Sequence, residues 1–205
     1  MNNKLLHYLN ESPTVFFILK KQDKSWDLEY VTSNVINLYG YSAEDFLNKK
    51  FKHEDFIFPE DLHQYRNELR QVSKFINDEY TYKPYRLVNN NQIIWVNHII
   101  KIIRDEKGNV SHYYGYLMDI TQAQNAKKEL EQYFNILNEN VLISVTDKDG
   151  MIISVSNAYC KLTQYTKDEL IGKNHSIFRH SNTEDSFFSE LWEKIKKGEI
   201  WKGEH

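Results

Sequence analysis

At 205 residues, with aromatics at 14% and only 7 Gly and 3 Pro, the chain has room for one large or two small packed domains and is not a low-complexity or disordered chain. Its net charge of -3, with both signs intermixed, leaves no electrostatic footprint for nucleic acid, and its longest apolar run (Val15 to Leu19) is too short for a membrane span or a signal-peptide core. The single cysteine, Cys160, excludes an internal disulfide and a Cys-built metal site and fits a reducing, cytoplasmic setting.

Residues 3–11 read as a short amphipathic helix with Leu5, Leu6 and Leu9 on one side, an N-terminal cap or a dimer contact. Thr14 to Lys20 and Trp26 to Thr32 are β-branched and aromatic and read as strands, with Asp23 and Lys24 in the turn between them. Ser33 and Asn34 open a short helix that Gly40-Tyr41-Ser42 breaks, and Ser42 then caps another. Phe58-Pro59-Glu60-Asp61 opens a longer helix whose stripe is Leu62, Tyr65, Leu69, Val72 and Ile76. Three strands follow: Glu79 to Val88, where Pro84 signals an edge or bulge, Ile93 to Arg104, and Val110 to Ile120. Asn89-Asn90-Asn91 supplies the first hairpin turn, because Asn tolerates positive φ.

Gly115-Tyr116-Leu117-Met118-Asp119-Ile120-Thr121 is a strand end that turns into a helix, and Asp119 and Thr121 are both helix-capping residue types. Ala123, Ala126, Leu130, Tyr133 and Leu137 then repeat at heptad spacing. Asp119, Thr121 and Leu130 are the candidate relay residues of this joint. After it the pattern restarts, with Val141 to Thr146 and Met151 to Val155 as strands, a helix from Asn157, a capping box at Thr166 to Glu169, a helix ending at Gly198, and a strand beginning at Trp201.

An internal repeat follows. Tyr41 to Leu47 aligns with Tyr165 to Ile171, and Ser33-Asn34 with Ser156-Asn157 after a one-residue gap. The second copy has no counterpart of the last two strands of the first. The chain is therefore expected to be a fragment, or to stop inside its second domain with the edge of Val141 to Thr146 exposed and marginal stability.

In order and spacing, Gly40-Tyr41-Ser42, Tyr85-Arg86-Leu87, Trp95, Asp105 to Gly108 and the closing Asp119-Ile120-Thr121 resemble a PAS domain with a C-terminal signalling helix. Asn157, Tyr165, Gly172-Lys173-Asn174-His175, Phe178-Arg179-His180, Leu191-Trp192 and Trp201-Lys202-Gly203 resemble the flavin-binding PAS domains of aerotaxis receptors and nitrogen-fixation redox regulators. The resemblance implies an α+β chain of two PAS folds. Each would be an antiparallel five-stranded sheet with short helices on one face. The expected boundaries are a cap at 1–11, a first domain at 12–121, a signalling helix at 122–139 and an incomplete second domain at 140–205.

By matching position the resemblance also implies that Asn174, His175, Arg179, His180 and Trp201 would face a cofactor, FAD, in the second domain. A flavin needs an apolar slot, an aromatic wall and a few placed polar groups. The family commonly continues Arg-His-Pro-Asp. Here Arg179-His180-Ser181-Asn182 lacks the Pro and the acid, which favours an empty or small-ligand pocket. His175 stands where a related light-sensing class has its adduct-forming Cys, so cysteinyl photochemistry is not expected. Haem through His63 is disfavoured because His63 falls off the apolar stripe, and His175 with His180 lacks a third metal ligand.

The tyrosines Tyr80, Tyr82, Tyr113, Tyr114 and Tyr116 line a cavity or form plain cross-strand pairs. No nucleophile-base arrangement, phosphate loop, kinase motif or cyclase motif is present in these residues. The expected function is a cytoplasmic sensory module that dimerises through the joint helix and signals to a downstream output domain. One alternative reading is that it is the N-terminal sensor part of a sensor histidine kinase or a diguanylate cyclase. The other reading is a PAS pair that only binds partner proteins.

Overall fold

The computed structural model describes residues 3–23, 25–72, 77–179 and 185–202. They form two units, Met1–Lys127 and Lys128–His205. Among the described residues no helix is long and apolar enough to cross a membrane.

In the first unit, α1 (Asn3–Glu11) leads into β1 (Thr14–Gln22) and β2 (Ser25–Val31). The period-2 alternation of β1 turns Val15, Phe17 and Leu19 inward. Its Phe16 packs on the other face against Tyr30, Tyr114 and Tyr116. Two short helices follow, α2 (Val35–Tyr39) and α3 (Ala43–Leu47), and then, after a 3-10 turn at His53–Phe56, the longer α4 (Pro59–Val72). The first ends at Gly40 with φ +76, and Ser42 with Asp45 forms the capping box of the second.

The sheet is antiparallel, in the order β2-β1-β6-β5, where β5 is Gln92–Arg104 and β6 is Val110–Asp119. The expected edge strand is split into β3 (Glu79–Thr81) and β4 (Tyr85–Asn89), both of which pair with β5. Pro84 cannot donate to the ladder, and the free Lys83 N–H goes instead to the Glu68 carboxylate of α4 at 3.1 Å. Asn90 and Asn91 take positive φ in the next turn, at 46° and 65°.

The inward stripe of α4 is Tyr65, Glu68 and Val72, while Leu69 is exposed and Ile76 lies outside the described residues. Glu68 can be buried because Tyr80 Oη, Gln64 Nε2 and Lys83 N all donate to it. A clamp holds α4 to β4. The Arg86 guanidinium reaches both Asp61 oxygens, at 2.6 and 2.8 Å, and the Arg86 backbone N–H donates to the same carboxylate. This arrangement holds the Asp61 carboxyl below the usual range, chiefly through the guanidinium bonds. Asp61→Asn is expected to cost about 2 kcal/mol in urea unfolding, because one charge-assisted partner of a half-buried Arg is lost.

The joint helix α5 runs over Thr121–Asn140. Asp119 Oδ1 accepts from Thr121 N–H at 2.8 Å and so begins the helix. Thr121 does not cap with its side chain. Its Oγ1 accepts from Trp95 N–H at 2.9 Å, and Ile120 N–H donates to Trp95 O, which ties the helix start to β5.

The second unit contains β7 (Ser144–Thr146), β8 (Ile152–Val155), α6 (Asn157–Thr163), α7 (Lys167–Leu170), a 3-10 turn at His175–Phe178 and α8 (Asp185–Lys196). Its described strands form a two-stranded sheet, and Trp201 and Lys202 are not in a strand. Hydrogen bonding corrects the repeat. Thr32 N–H and side chain pair with Phe16 just as Ser156 N–H and side chain pair with Ile143. Ser33 N–H donates to Asn10 Oδ1, and Asn157 N–H to Asn138 Oδ1. Gly40 and Gln164 are both left-handed helix ends, and the Ser42 and Thr166 capping boxes follow. Thr32 and Ser156, Ser33 and Asn157, Gly40 and Gln164, and Ser42 and Thr166 all share the spacing of Tyr41 to Tyr165, so no gap is needed from Thr32 onward.

The buried core of this unit is Ile152, Val155 and Leu170, with Tyr159, Cys160 and Phe178 against it. Val145 and Ile153 stay exposed. Calorimetry of the 205-residue chain is expected to show two transitions, the lower from this unit. Leu170→Ala, which costs about 2–5 kcal/mol at a buried site, should abolish the lower transition and leave the upper.

Candidate functional site

Between the inner face of the sheet and α2 to α4 the first unit holds a partly open cavity of about 310 Å³. Its wall is mostly apolar, with Val15, Phe17, Leu28, Ile100 and Leu117 prominent, and Asp27, Lys49 and Lys52 supply charge. Lys49 Nζ pairs with Asp27 at 2.9 Å. Phe17 sits here because Gly115, its partner across β1 and β6, has no Cβ. A Cβ on Gly115 would meet Phe17 Cζ at 1.9 Å.

A chain of polar groups runs beside this cavity. Tyr39 Oη lies 2.6 Å from His53 Nδ1, His53 Nε2 lies 2.8 Å from Tyr85 Oη, and Tyr85 Oη lies 2.8 Å from His98 Nδ1. His98 is 3% exposed, lines the cavity, and among the described residues has no hydrogen-bond partner at Nε2. Tyr82 stacks on its ring at 4.3 Å. Burial pulls the His53 pKa down to about 4. Burial, then the neighbouring His53, pulls His98 well below its ordinary value. Burial also pushes the Tyr39 and Tyr85 hydroxyls up. At neutral pH all four groups are uncharged.

Of the tyrosines singled out in the sequence, Tyr82 and Tyr113 line this cavity. Tyr114 and Tyr116 lie on the other face with Phe16, and Tyr80 donates to Glu68. His63 is exposed and bonds to Asn67. Sequence reasoning missed Tyr39, His53, Tyr85 and His98. The signal for His98 was present: it is the one polar residue in the inward alternation Ile94, Val96, His98, Ile100, Ile102.

In the second unit, Asn174 Oδ1 accepts from Ser176 N–H, and its Nδ2 donates to Asp149 O. His175 Nε2 lies 3.3 Å from Tyr159 Oη. Trp201 meets Phe187 edge-on at 4.8 Å, Arg179 is exposed, and His180 lies outside the described residues. The polar ends of Asn174 and His175 are thus engaged by the protein itself.

Profiles of the PAS fold match residues 28–117 and 132–205. The chain carries two PAS domains in tandem. Over 127 residues it is 32% identical to the methyl sulfide methyltransferase-associated sensor of Methanosarcina acetivorans, covering 62% of this chain and 12% of that protein. Over 73 residues it is 30% identical to the aerotaxis receptor of Escherichia coli, covering 36% of this chain and 14% of the receptor. An RNA-binding light-oxygen-voltage receptor shares the fold at a TM-score of 0.53 and 19% identity, over 65% of this chain and 37% of that one. The chain therefore spans a small part of the curated relatives it matches. Its PAS domains are sensory modules.

Proposed function

We propose that this chain is the sensing part of a signal-transduction protein and not a catalyst. A small molecule in the first PAS cavity would set the packing of β5, and β5 would pass that state to α5. One observation carries this reading: the same strand holds His98 at the cavity and, three residues earlier, Trp95, which grips Ile120 and Thr121 at the helix start. A difference of about 1–3 kcal/mol between two packings is enough for a useful switch. The test is hydrogen–deuterium exchange of residues 119–130 with and without acetophenone, a small aromatic ketone, as cavity occupant. A change reaching the first turn of α5 supports the relay. A change confined to the cavity wall counts against it.

The relay would end in a homodimer and an output domain. The α5 stripe supports the first, since Leu130 is 70% exposed and Tyr133 and Leu137 are exposed with it. Leu130→Gln with Leu137→Gln is expected to shift sedimenting mass from dimer to monomer, and an unchanged mass would rule out this helix as the interface. The much longer relatives support the second. A cytoplasmic histidine kinase, hence a two-component system, or a diguanylate cyclase fits such an output. The visible absorption spectrum of the purified protein tests the flavin alternative, because a bound flavin gives a band that a colourless ligand does not.

A further inference from the structure

The hydrogen-bond chain beside the cavity has a direction. With both imidazoles neutral, each carries one N–H and one bare nitrogen. Let Tyr39 O–H donate to His53 Nδ1. Then His53 Nε2–H donates to the Tyr85 oxygen, and Tyr85 O–H donates to His98 Nδ1. Every proton in the run but the last has an acceptor, and that last proton is left on His98 Nε2. In the opposite direction His53 Nδ1–H donates to Tyr39, whose own proton then has no second acceptor among the described residues, and His98 Nε2 is bare. The first arrangement leaves one buried polar group unmet and the second leaves two. Since each such group is costly, the first is preferred.

We infer that the first PAS cavity takes a small, largely apolar molecule carrying one uncharged oxygen acceptor, which the buried His98 Nε2–H meets through a small shift of its ring. This inference rests on the reading of that cavity as a ligand site. Three features define the class. The volume, about 310 Å³, is at the low end for ligand pockets, so the molecule is a single ring or a short chain. The wall around His98 is Phe17, Tyr82 and Ile100, which suits an apolar body. The acceptor is uncharged because the rings packed around His98 (Phe17, Tyr82, Tyr85 and the neutral His53) carry no charge to offset an anion there. The same proton on Nε2 leaves no lone pair there for a metal ion.

The test compares acetophenone with ethylbenzene, which has a similar shape and no oxygen, by titration calorimetry on the 205-residue chain. In a cavity with no donor the hydrocarbon binds tighter, because the ketone must give up its hydrogen bonds to water. With His98 donating, acetophenone is expected to bind about tenfold tighter than ethylbenzene. In His98→Phe that preference should reverse. Nitrogen-15 shifts of the imidazoles provide a second readout without any variant and should show the Nε2–H tautomer at both His53 and His98. Equal binding of the two probes, or an Nδ1–H tautomer at His98, overturns the inference and leaves the cavity a ligand site. If neither probe binds, the ligand-site reading falls, and the inference with it.

Discussion

Replacing Tyr85 by Phe is expected to destabilise the first PAS domain by about 3 kcal/mol in urea unfolding. Among the described residues the hydroxyl is the only link between His53 Nε2 and His98 Nδ1, so its removal leaves two polar atoms unmet beside the core. Each such orphan costs about 1–3 kcal/mol, a large share of the stability of a small domain. Tyr39→Phe orphans only His53 Nδ1 and should cost about half as much. Equal losses in the two variants would mean that the run is not a single connected chain.

The same residues set an acid limit. His53 is held at a pKa of about 4 in the folded domain, against about 6.5 unfolded. Between those values the unfolded chain takes up a proton that the folded chain refuses. Stability is therefore full above pH ~6.5 and falls as pH drops toward ~4. His98 is pulled lower still, so its share of the loss continues below the His53 value. A stability profile flat across this window would contradict the buried, neutral assignment.

Gly115→Ala is the second large effect. The added methyl would overlap the Phe17 ring, with three ring carbons within 2.4 Å, and the close ring atoms belong to a side chain packed under the sheet. Phe17 lines the cavity, so the open direction for its ring is into that space. A cost of about 2–3 kcal/mol is expected, with loss of acetophenone binding. Phe17→Leu in the same chain should recover part of both. That non-additivity marks a direct contact, and simple addition of the two losses would rule it out.

Local chemistry made much of the fold legible. The Ser42 and Thr166 capping boxes, the Asn89 to Asn91 turn and the Pro84 interruption are short-range statements, and short-range statements can be read from sequence. What stayed hidden depends on partners far along the chain. Glu68 did not read as an inward residue of α4, because its partners Tyr80 and Lys83 come from the strand region beyond the helix. Thr121 read as a cap because only the fold brings Trp95 N–H to it. The cavity is the strongest case. Tyr39, His53, Tyr85 and His98 come from a helix, a 3-10 turn and two strands, and no motif joins them. Asn174 and His175 show the converse, since a matching position does not reveal which neighbours engage their polar atoms.

The joint helix is fastened at each end. At its start Thr121 is bonded to Trp95. At its far end Asn138 accepts from Asn157, and Glu139 pairs with Lys161 at 2.7 Å. An α-helix turns about 100° and rises about 1.5 Å per residue, so α5 is about 30 Å long, and one residue added or removed between these anchors would swing its Asn138 and Glu139 end by about 100° about the helix axis relative to Thr121.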